Sequence, residues 1–189
     1  MPGARIERGD RVALRTVERE DASFLQRAYA NPELRHPLGR RLKNVSQVEA
    51  KFEELAADDE QDQFLVCIEG DDAPPGRPAD GEVTPVGLVV ARNVTRRPNV
   101  AFWVVPDYQR DGYATEAVSL VIETLFRSYD VPSIGAGVYD FNEASQGLLE
   151  SLGFTREGRQ RKYKFVDGEY RDNLKYGLLR EEWREQTCE

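Results

Sequence analysis

Metal-binding and nucleophilic side chains are scarce in this 189-residue chain, which has two cysteines and one histidine. Cys67 and Cys188 lie far apart in the sequence, so the closely spaced cysteine pairs typical of zinc sites are absent. A Ser-His or Cys-His nucleophile pair would have to use His36. Because Cys67 lies within an apolar segment, we expect it to be a buried small hydrophobic residue. The sequence therefore predicts an activity without a metal ion.

An excess of positive charge and a long apolar run are also missing. Asp and Glu number 34 against 26 Lys plus Arg, which gives a formal net charge of −8. Nucleic-acid-binding proteins usually present a basic face to the phosphates, and a membrane span needs about 20 apolar residues. The N-terminal segment lacks the apolar core of a signal peptide. We therefore expect a soluble, cytoplasmic protein that binds neither nucleic acid nor membrane.

The pattern of apolar and polar residues predicts one mixed α/β domain over residues 1–189. Its elements follow the order βααβββαβαββ, and its strands form one sheet. Segment 70–82 is rich in Gly, Pro and acidic residues, which predicts a surface loop between two strands. Apolar alternation and short apolar runs predict strands at 11–17, 63–68, 85–92, 99–105, 133–139, 154–165 and 170–179. Helical periodicity predicts helices at 18–30, 46–57, 114–129 and 142–152.

Local signals mark the ends of several elements. Asn31-Pro32 should end the first helix. Ser46, with Glu49 three residues later, fits a capping box at the start of the second helix. Gly153 is placed as the residue just beyond the last helix, and Asp167-Gly168 predicts a tight hairpin between the last two strands.

The segment from Val104 to Glu116 joins a buried strand to the long helix through a turn that contains Gly112. Backbone N–H groups in such a turn, together with the helix N-terminus, can bind a pyrophosphate. Gly112 would let a ligand approach the backbone closely. The segment lacks the Gly-Lys-Ser/Thr of a P-loop and the second and third glycines of the dinucleotide fingerprint. The pattern alone is more typical of a plain strand-to-helix turn.

Several motifs together indicate a family. The turn contains Gln109-Arg-Asp-Gly-Tyr-Ala114, which resembles the Gln/Arg-x-x-Gly-x-Gly/Ala motif of the GNAT-type N-acetyltransferases. Asn142-x-x-Ser145 and Glu150-x-x-Gly-Phe154 are similar to a second motif of that superfamily. Segments 9–15 and 167–183 resemble the ribosomal-protein N-terminal (alanine/serine) acetyltransferase branch. The resemblance implies a GNAT-like acyl-CoA N-acyltransferase fold, with a single mixed, mostly antiparallel, twisted sheet of about seven strands flanked by four helices.

The same resemblance implies how acetyl-CoA would bind. Backbone groups of Val104 and Val105 would pair with the pantetheine arm where two strands splay apart. The Asn142 side chain would also hydrogen-bond the pantetheine, although its position equally fits a helix N-cap. The pyrophosphate would lie against the glycine turn, whose implied binding residues are Gln109, Arg110, Asp111, Gly112, Tyr113, Ala114 and Thr115.

Catalysis in this family is direct acyl transfer to an amine, which calls for a proton acceptor and for an acid at the leaving thiolate. Many relatives have a tyrosine seven residues after the motif asparagine, whereas this chain has Leu149. Ser145 matches a serine proposed as the acid in the ribosomal-protein branch, or it is a small packing residue. No acidic residue lies in segment 99–104, where relatives carry a glutamate, so the base is not assigned. The remaining carboxylates near the motifs are Asp140, Glu143 and Asp172.

The resemblance favours a protein or peptide N-terminal α-amine as the acceptor. A small-molecule amine, such as a polyamine or an antibiotic, is the alternative within the superfamily, and a non-catalytic acyl-CoA-binding module is the alternative outside enzymes. The basic segment with Arg35, His36, Arg40 and Arg41 would favour an acidic acceptor, unless it is simply a solvated loop. Phe102 and Trp103 are expected in the core. Dimers are common among similar proteins, which leaves a homodimer open here, but the sequence by itself does not indicate the oligomeric state.

Overall fold

The structure is a computed structural model that describes residues 2–56 and 58–187, without the side chains of residues 53, 55 and 56. Ala57, the predicted end of the second helix, and Cys188 lie outside the described residues. Within them, eight strands form one sheet: β1 Arg5–Arg8, β2 Ala13–Arg15, β3 Gln61–Glu69, β4 Val83–Arg92, β5 Asn99–Val104, β6 Ser133–Tyr139, β7 Thr155–Val166 and β8 Glu169–Leu179.

The sheet carries helices on both faces. Over the described ranges the α-helices are α1 Ala22–Ala30, α2 Pro32–Arg35, α3 Val45–Ala56, α4 Tyr113–Ser128, α5 Glu143–Ser151 and α6 Arg180–Thr187. Short 3-10 turns cover Arg19–Asp21 and Pro106–Tyr108. No helix in these ranges is both long and apolar enough to cross a membrane.

The predicted mixed, mostly antiparallel sheet is confirmed, and its strand order is β1-β2-β3-β4-β5-β6-β8-β7. Only β5 and β6 pair in parallel among the described strands. The face that packs on α4, α5 and α6 is filled by a core that includes Val118, Ile122, Leu125, Leu149 and Trp183. The opposite face packs on α1, α2 and α3 through a second core that includes Leu25, Tyr29, Leu88 and Trp103.

The predicted counts of about seven strands and four helices are too low, and the errors occur in polar segments. β1 has the sequence Arg-Ile-Glu-Arg, which lacks apolar alternation and becomes a strand by pairing with β2. α6 buries Trp183 but is otherwise polar, so its sequence carries little helical periodicity. The predicted helix 18–30 divides into a 3-10 turn and α1, and α2 begins at Pro32 beyond the predicted stop.

The cap of α3 is Asn44 and not Ser46. The Asn44 side chain accepts a hydrogen bond from the Gln47 backbone at 2.8 Å, and Gln47 Oε1 accepts one from the Asn44 backbone at 3.0 Å. Asn44 and Gln47 thus satisfy the reciprocal capping pattern two residues earlier than Ser46 and Glu49 would, and Asn ranks with Ser as a cap. The signals at Gly153 and Asp167-Gly168 are confirmed, because all three residues have positive φ where the chain reverses.

Loop 70–82 is confirmed between β3 and β4, and a buried arginine holds it in place. The Arg15 side chain is fully buried and donates to the carbonyls of Pro74 at 2.7 Å and Gly76 at 2.8 Å. Its Nε donates to Glu69 at 2.7 Å, and Arg5 contacts the same carboxylate at 2.6 Å. The loop therefore packs on the sheet edge through a satisfied buried charge network.

Candidate functional site

The feature that organises the site is a gap between β5 and β6. The two parallel strands pair only at their beginnings, where Asn99 is opposite Gly135 and Val100 is opposite Ala136. Residues 101–104 and 137–139 continue as strands without pairing to each other. Because the strands are parallel, their carboxyl ends lie at the same edge of the sheet, and the segments that follow them flank the opening. These are the glycine turn and the N-terminus of α5, which carry the predicted site residues.

Backbone groups at the end of β5 face this gap. The Val105 N–H donates to the Val86 carbonyl at 2.8 Å, and the Val105 carbonyl accepts from Tyr108 N–H at 3.0 Å. Because hydrogen-bonding directions alternate along an antiparallel strand, the N–H groups of Val104 and Phe102 point away from β4 and toward the gap. Val105 is thus satisfied inside the protein, and the Val104 N–H and the backbone groups of Phe102 are those offered at the opening.

The turn between β5 and α4 has an unusual backbone. Arg110 and Gly112 both have positive φ, +68° and +83°, and α4 begins at Tyr113. The first bond of the helix runs from Glu116 N–H to the Gly112 carbonyl at 3.1 Å. The N–H groups of Tyr113, Ala114 and Thr115 therefore have no partner within the helix. This arrangement suits an anion, because free N–H groups and the helix dipole act together.

Arg11 lies against the same turn and was not identified from the sequence. Its Nη1 donates to the Asp111 carbonyl at 2.6 Å, its Nε pairs with Glu116 at 3.1 Å, and its guanidinium lies 5.2 Å from the centre of the Tyr113 ring. A Cβ on Gly112 would lie 2.7 Å from Arg11 Nη2. Gly112 is therefore required for its positive φ, and the exposed Arg11, which also pairs with Glu116, brings a guanidinium group to the turn.

Asn142 and Ser145 begin α5 at the other side of the gap. Asn142 Oδ1 accepts a hydrogen bond from Ser145 N–H at 3.2 Å, so Asn142 is the helix N-cap. Both side chains are half-buried, and neither the Asn142 amide nitrogen nor the Ser145 hydroxyl donates to another described residue. Leu149 is fully buried in the core under α5, which places it away from the opening.

Tyr139 is a second hydroxyl-bearing residue on an element that flanks the gap. It ends β6, and a Cβ on Gly39 would lie 2.8 Å from its hydroxyl oxygen, so its ring faces the segment between α2 and α3. Burial raises the pKa of this phenol above its usual 10.0. The sequence places Tyr139 in a strand, but its place beside the gap follows only from the pairing of β5 with β6.

The carboxylates near the motifs, Asp140, Glu143 and Asp172, differ in their exposure to solvent and in their hydrogen-bond partners. Glu143 is exposed. Asp172 accepts from Lys162 N–H at 2.7 Å and pairs with Arg159, and these bonds hold its pKa below the usual 3.8. Asp140, which follows β6 directly, has a buried Oδ1 without a partner among the described residues. Asp140 Oδ2 lies 3.8 Å from Arg159 Nη2, so Asp140 has one paired oxygen and one buried, unpaired oxygen, whereas the exposed Glu143 accepts no hydrogen bond from a described residue.

A cavity of about 300 Å³ lies on the sheet face covered by α1 and α3. Its floor includes Leu88 and Val90 of β4, and Val90 is in register with Ala101, the first residue of β5 beyond its pairing with β6. Neighbouring strands lie about 4.8 Å apart, so the cavity floor is one strand away from the gap. Arg40 lines the cavity, whereas His36 lies 3.8 Å from Asp167 of the hairpin and Arg41 is exposed.

The remaining predicted core residues lie where expected. Trp103 is buried against Phe24 and Tyr29, with ring centroids 5.9 and 5.5 Å apart, and Phe102 packs on the core below α4. Cys67 is fully buried, and burial raises the pKa of its thiol, which makes it unsuited to nucleophilic attack. No group of three or more His, Cys, Asp or Glu side chains that could hold a metal occurs in the described part of the chain.

Comparisons with known proteins agree with this geometry. A model of the acetyltransferase (GNAT) domain matches residues 11–155. The spermidine N(1)-acetyltransferase of Escherichia coli K12 is 24% identical over 173 residues, covering 91% of this chain and 88% of that protein. The [ribosomal protein uS5]-alanine N-acetyltransferase of the same organism is 32% identical over 76 residues, covering 40% of this chain and 39% of that protein.

Among solved structures, the spermidine N-acetyltransferase of Vibrio cholerae in complex with CoA and spermine superposes with a TM-score of 0.79. It is 19% identical, and the match covers 93% of this chain and 99% of that one. This likeness supports the fold, and the domain match extends over most of the sequence. The chain therefore belongs to the GNAT acetyltransferase family and is an N-acetyltransferase.

Proposed function

We propose that this enzyme transfers acetyl from acetyl-CoA to the primary amine of a small molecule held in the cavity beside β4. The proposal rests on one pairing in the sheet. Val90, in the cavity floor, is directly opposite Ala101, the residue of β5 at which the gap begins. An amine held in the cavity is thereby within reach of a group that enters through the gap. A cavity of about 300 Å³ is at the lower end of the range for small-molecule sites.

The chain's own groups fit acetyl-CoA along the edge formed by the carboxyl ends of β5 and β6. Val104 and Phe102 offer backbone groups to the amide-bearing pantetheine arm, as an added strand would use them. The N–H groups of Tyr113, Ala114 and Thr115, with Arg11 beside them, suit the pyrophosphate. The free donor of Asn142 lies across the gap from β5.

Acetyl-CoA supplies a thioester: the amine nitrogen bonds to its carbonyl carbon, the carbon–sulfur bond breaks, and an amide and a free thiol result. Two protons must move. Asp140, which follows β6, and Glu143, which begins α5, are the candidates to accept, through water, the proton that the amine loses, because each has an oxygen without a hydrogen-bond partner among the described residues. Ser145 or Tyr139 is the candidate to give a proton to the thiolate, because the two residues lie in the elements that flank the gap, α5 and β6.

The choice of a small amine over a protein N-terminus rests on the extent of the similarities. The spermidine acetyltransferase is similar over 91% of the chain, whereas the ribosomal-protein acetyltransferase is similar over 40%. The expected protein N-terminal acceptor therefore has less support than the small-amine alternative. A homodimer stays open, and the cytoplasmic location stays a prediction.

The test is release of free CoA from acetyl-CoA in the presence of a panel of small amines and of peptides with Ala or Ser at the N-terminus. We expect turnover with small amines and an acetylated product by mass spectrometry. Gly112→Asp should abolish turnover with every acceptor, because it puts bulk and negative charge at the pyrophosphate site. Turnover with the peptides alone would contradict the proposal and restore the protein N-terminal acceptor.

A further inference from the structure

The cavity beside β4 is lined by positive charge in an acidic protein. Arg40, Lys43, Lys51 and Arg92 all line it, and among the described residues no Asp or Glu does. The chain as a whole carries a formal net charge of −8, so this concentration of cations runs against the composition. A site with this lining attracts anions and repels cations.

Three of these cations lack a carboxylate partner. Lys51 pairs with Glu54 at 2.5 Å on the surface, whereas Arg40, Lys43 and Arg92 form no ion pair with any side chain that the structure describes. Several other arginines in the described ranges do form ion pairs with carboxylates. Arg5 and Arg15, for example, both contact Glu69. The cavity thus has unused positive charge that a bound anion would neutralise.

Arg40 and Arg92 are held facing the same space. The Arg40 guanidinium lies 4.2 Å from the centre of the buried Tyr29 ring, which fixes its position by a cation–π contact. Arg92 is partly exposed to solvent, but the desolvation of its side chain and the charge of Arg40 both lower its pKa, as expected for two cations that line one cavity.

The rest of the lining suits a short organic chain. Leu25, Val48, Leu88 and Val90 give an apolar floor and wall, and Gln61 and Gln63 add amides at the rim. The apolar floor continues toward Ala101 and the gap, while Arg92 lies at the far end of β4, in register with Gln61. A ligand in this cavity meets apolar surface on the way to the gap and cations at the other end.

We infer that the acceptor is an amine whose other end carries a carboxylate, and that Arg40 and Arg92 bind this carboxylate while the amine points to the gap. The inference rests on the proposed function and narrows its substrate class. The cavity floor is one strand away from the gap, and neighbouring strands lie about 4.8 Å apart. The amine and the carboxylate of the acceptor should therefore be separated by about 5–10 Å. A polyamine, which is cationic at both ends, would be repelled by the same lining.

The test uses three primary amines of equal length: pentylamine, 5-aminopentanoate and 1,5-diaminopentane, which end in a methyl, a carboxylate and an ammonium. With the full chain and saturating acetyl-CoA, we expect kcat/KM to be highest for 5-aminopentanoate and lowest for 1,5-diaminopentane. A hydrogen bond to a charged group is worth on the order of tenfold or more in affinity, so we expect a preference of that size over pentylamine.

Variants assign the preference to the two arginines. Arg40→Gln and Arg92→Gln should each lower kcat/KM for 5-aminopentanoate by about tenfold and leave pentylamine within twofold. Arg41→Gln and Arg96→Gln are the matched controls, since these exposed arginines lie one and four positions from Arg40 and Arg92 in the sequence and do not line the cavity. A merely structural effect of the first two substitutions would reduce activity with all three amines equally and would overturn the inference.

The other outcomes separate this inference from the proposed function. Turnover of pentylamine without any preference for 5-aminopentanoate would overturn the inference and leave the proposed function intact. If no amine is acetylated, the proposed function fails. The anion site is then tested separately, by measuring the binding of pentanoate alone by calorimetry. Binding by the wild type that Arg92→Gln abolishes would then support the carboxylate site, and absence of binding would overturn it.

Discussion

The side chain of Gln109 donates a hydrogen bond from Nε2 to the Val104 carbonyl at 2.8 Å. This bond ties the first residue of the glycine motif to the end of β5, where backbone groups face the gap. It spans five positions in the sequence and closes the 3-10 turn at Pro106–Tyr108 against the strand. The motif glutamine therefore positions the strand end and the glycine turn relative to each other.

Gln109→Ala should raise the KM for acetyl-CoA by about fivefold, because the loss of one partly buried hydrogen bond, about 1 kcal/mol, lets the turn move away from the strand. The kcat at saturating acetyl-CoA should change less. Gln186→Ala, on the exposed part of α6, is the control and should leave both constants unchanged. An unaltered KM in Gln109→Ala would show that the turn is positioned by other contacts.

Gly112→Ala should destabilise the fold by about 1–2 kcal/mol, because an L-residue is strained at φ +83° and its Cβ would displace Arg11. Protection by acetyl-CoA should also weaken; for the wild type it amounts to about 2.7 kcal/mol at a concentration of 100 times Kd. Chemical denaturation with and without acetyl-CoA measures both effects.

Gly147→Ala is the matched control for Gly112→Ala. Gly147 lies inside α5, and a Cβ there meets nothing within 4 Å, so alanine should stabilise the helix by about 0.5–1 kcal/mol. If Gly112→Ala were as stable as the wild type and bound acetyl-CoA normally, the role assigned to the turn backbone would be wrong.

Ser145→Ala should lower kcat by about 10²-fold, the low end for loss of a positioned acid, because a thiol is a fair leaving group without help. The dissociation constant for acetyl-CoA should stay within a few-fold. Tyr139→Phe, measured beside it, tests the second hydroxyl-bearing residue beside the gap. A normal kcat in Ser145→Ala would remove Ser145 from the mechanism, and a loss in Tyr139→Phe would assign the acid to Tyr139.

Asp172→Asn should lower stability near neutral pH but not in strong acid. Hydrogen bonds from Lys162 N–H and Arg159 lower the folded-state pKa of Asp172 below 3.8, so its ionised form contributes stability above about pH 4. That contribution is lost as pH falls through the folded pKa. The difference in unfolding free energy between wild type and variant should therefore shrink from pH 6 to pH 2, and a constant difference would contradict the assignment.

Arg15→Met should reduce the free energy of unfolding by about 3 kcal/mol, the low end for breaking a buried ion pair, since Arg5 still contacts Glu69. Arg8→Met is the control, because its partner Asp71 is fully exposed, and it should cost less than about 1 kcal/mol. Equal effects of the two substitutions in urea denaturation would show that the Arg15 network does not hold loop 70–82.

The sequence alone predicted the elements whose stability is local. The long apolar stripe of α4, the N-cap of α5 and the Asp167-Gly168 turn each depend on residues a few positions apart, and the structure confirms them. The family could also be identified from the sequence, because its motif residues Gln109, Gly112 and Asn142 occur at fixed spacings within short segments. β1 and α6 were missed because their polar sequences gain structure from a neighbouring strand or from one buried residue, Trp183.

Tertiary structure decided which side chains meet at the site. Arg11 reaches Asp111 across 100 positions, and Tyr29 meets Arg40 only after α1 and the following segment pack on the sheet. Arg92 and Val90 reach the cavity because alternate residues of β4 face α1 and α3, while their distance from the gap depends on the register with β5. Such contacts join residues far apart in sequence, and packing and strand register, which no local pattern encodes, bring them together.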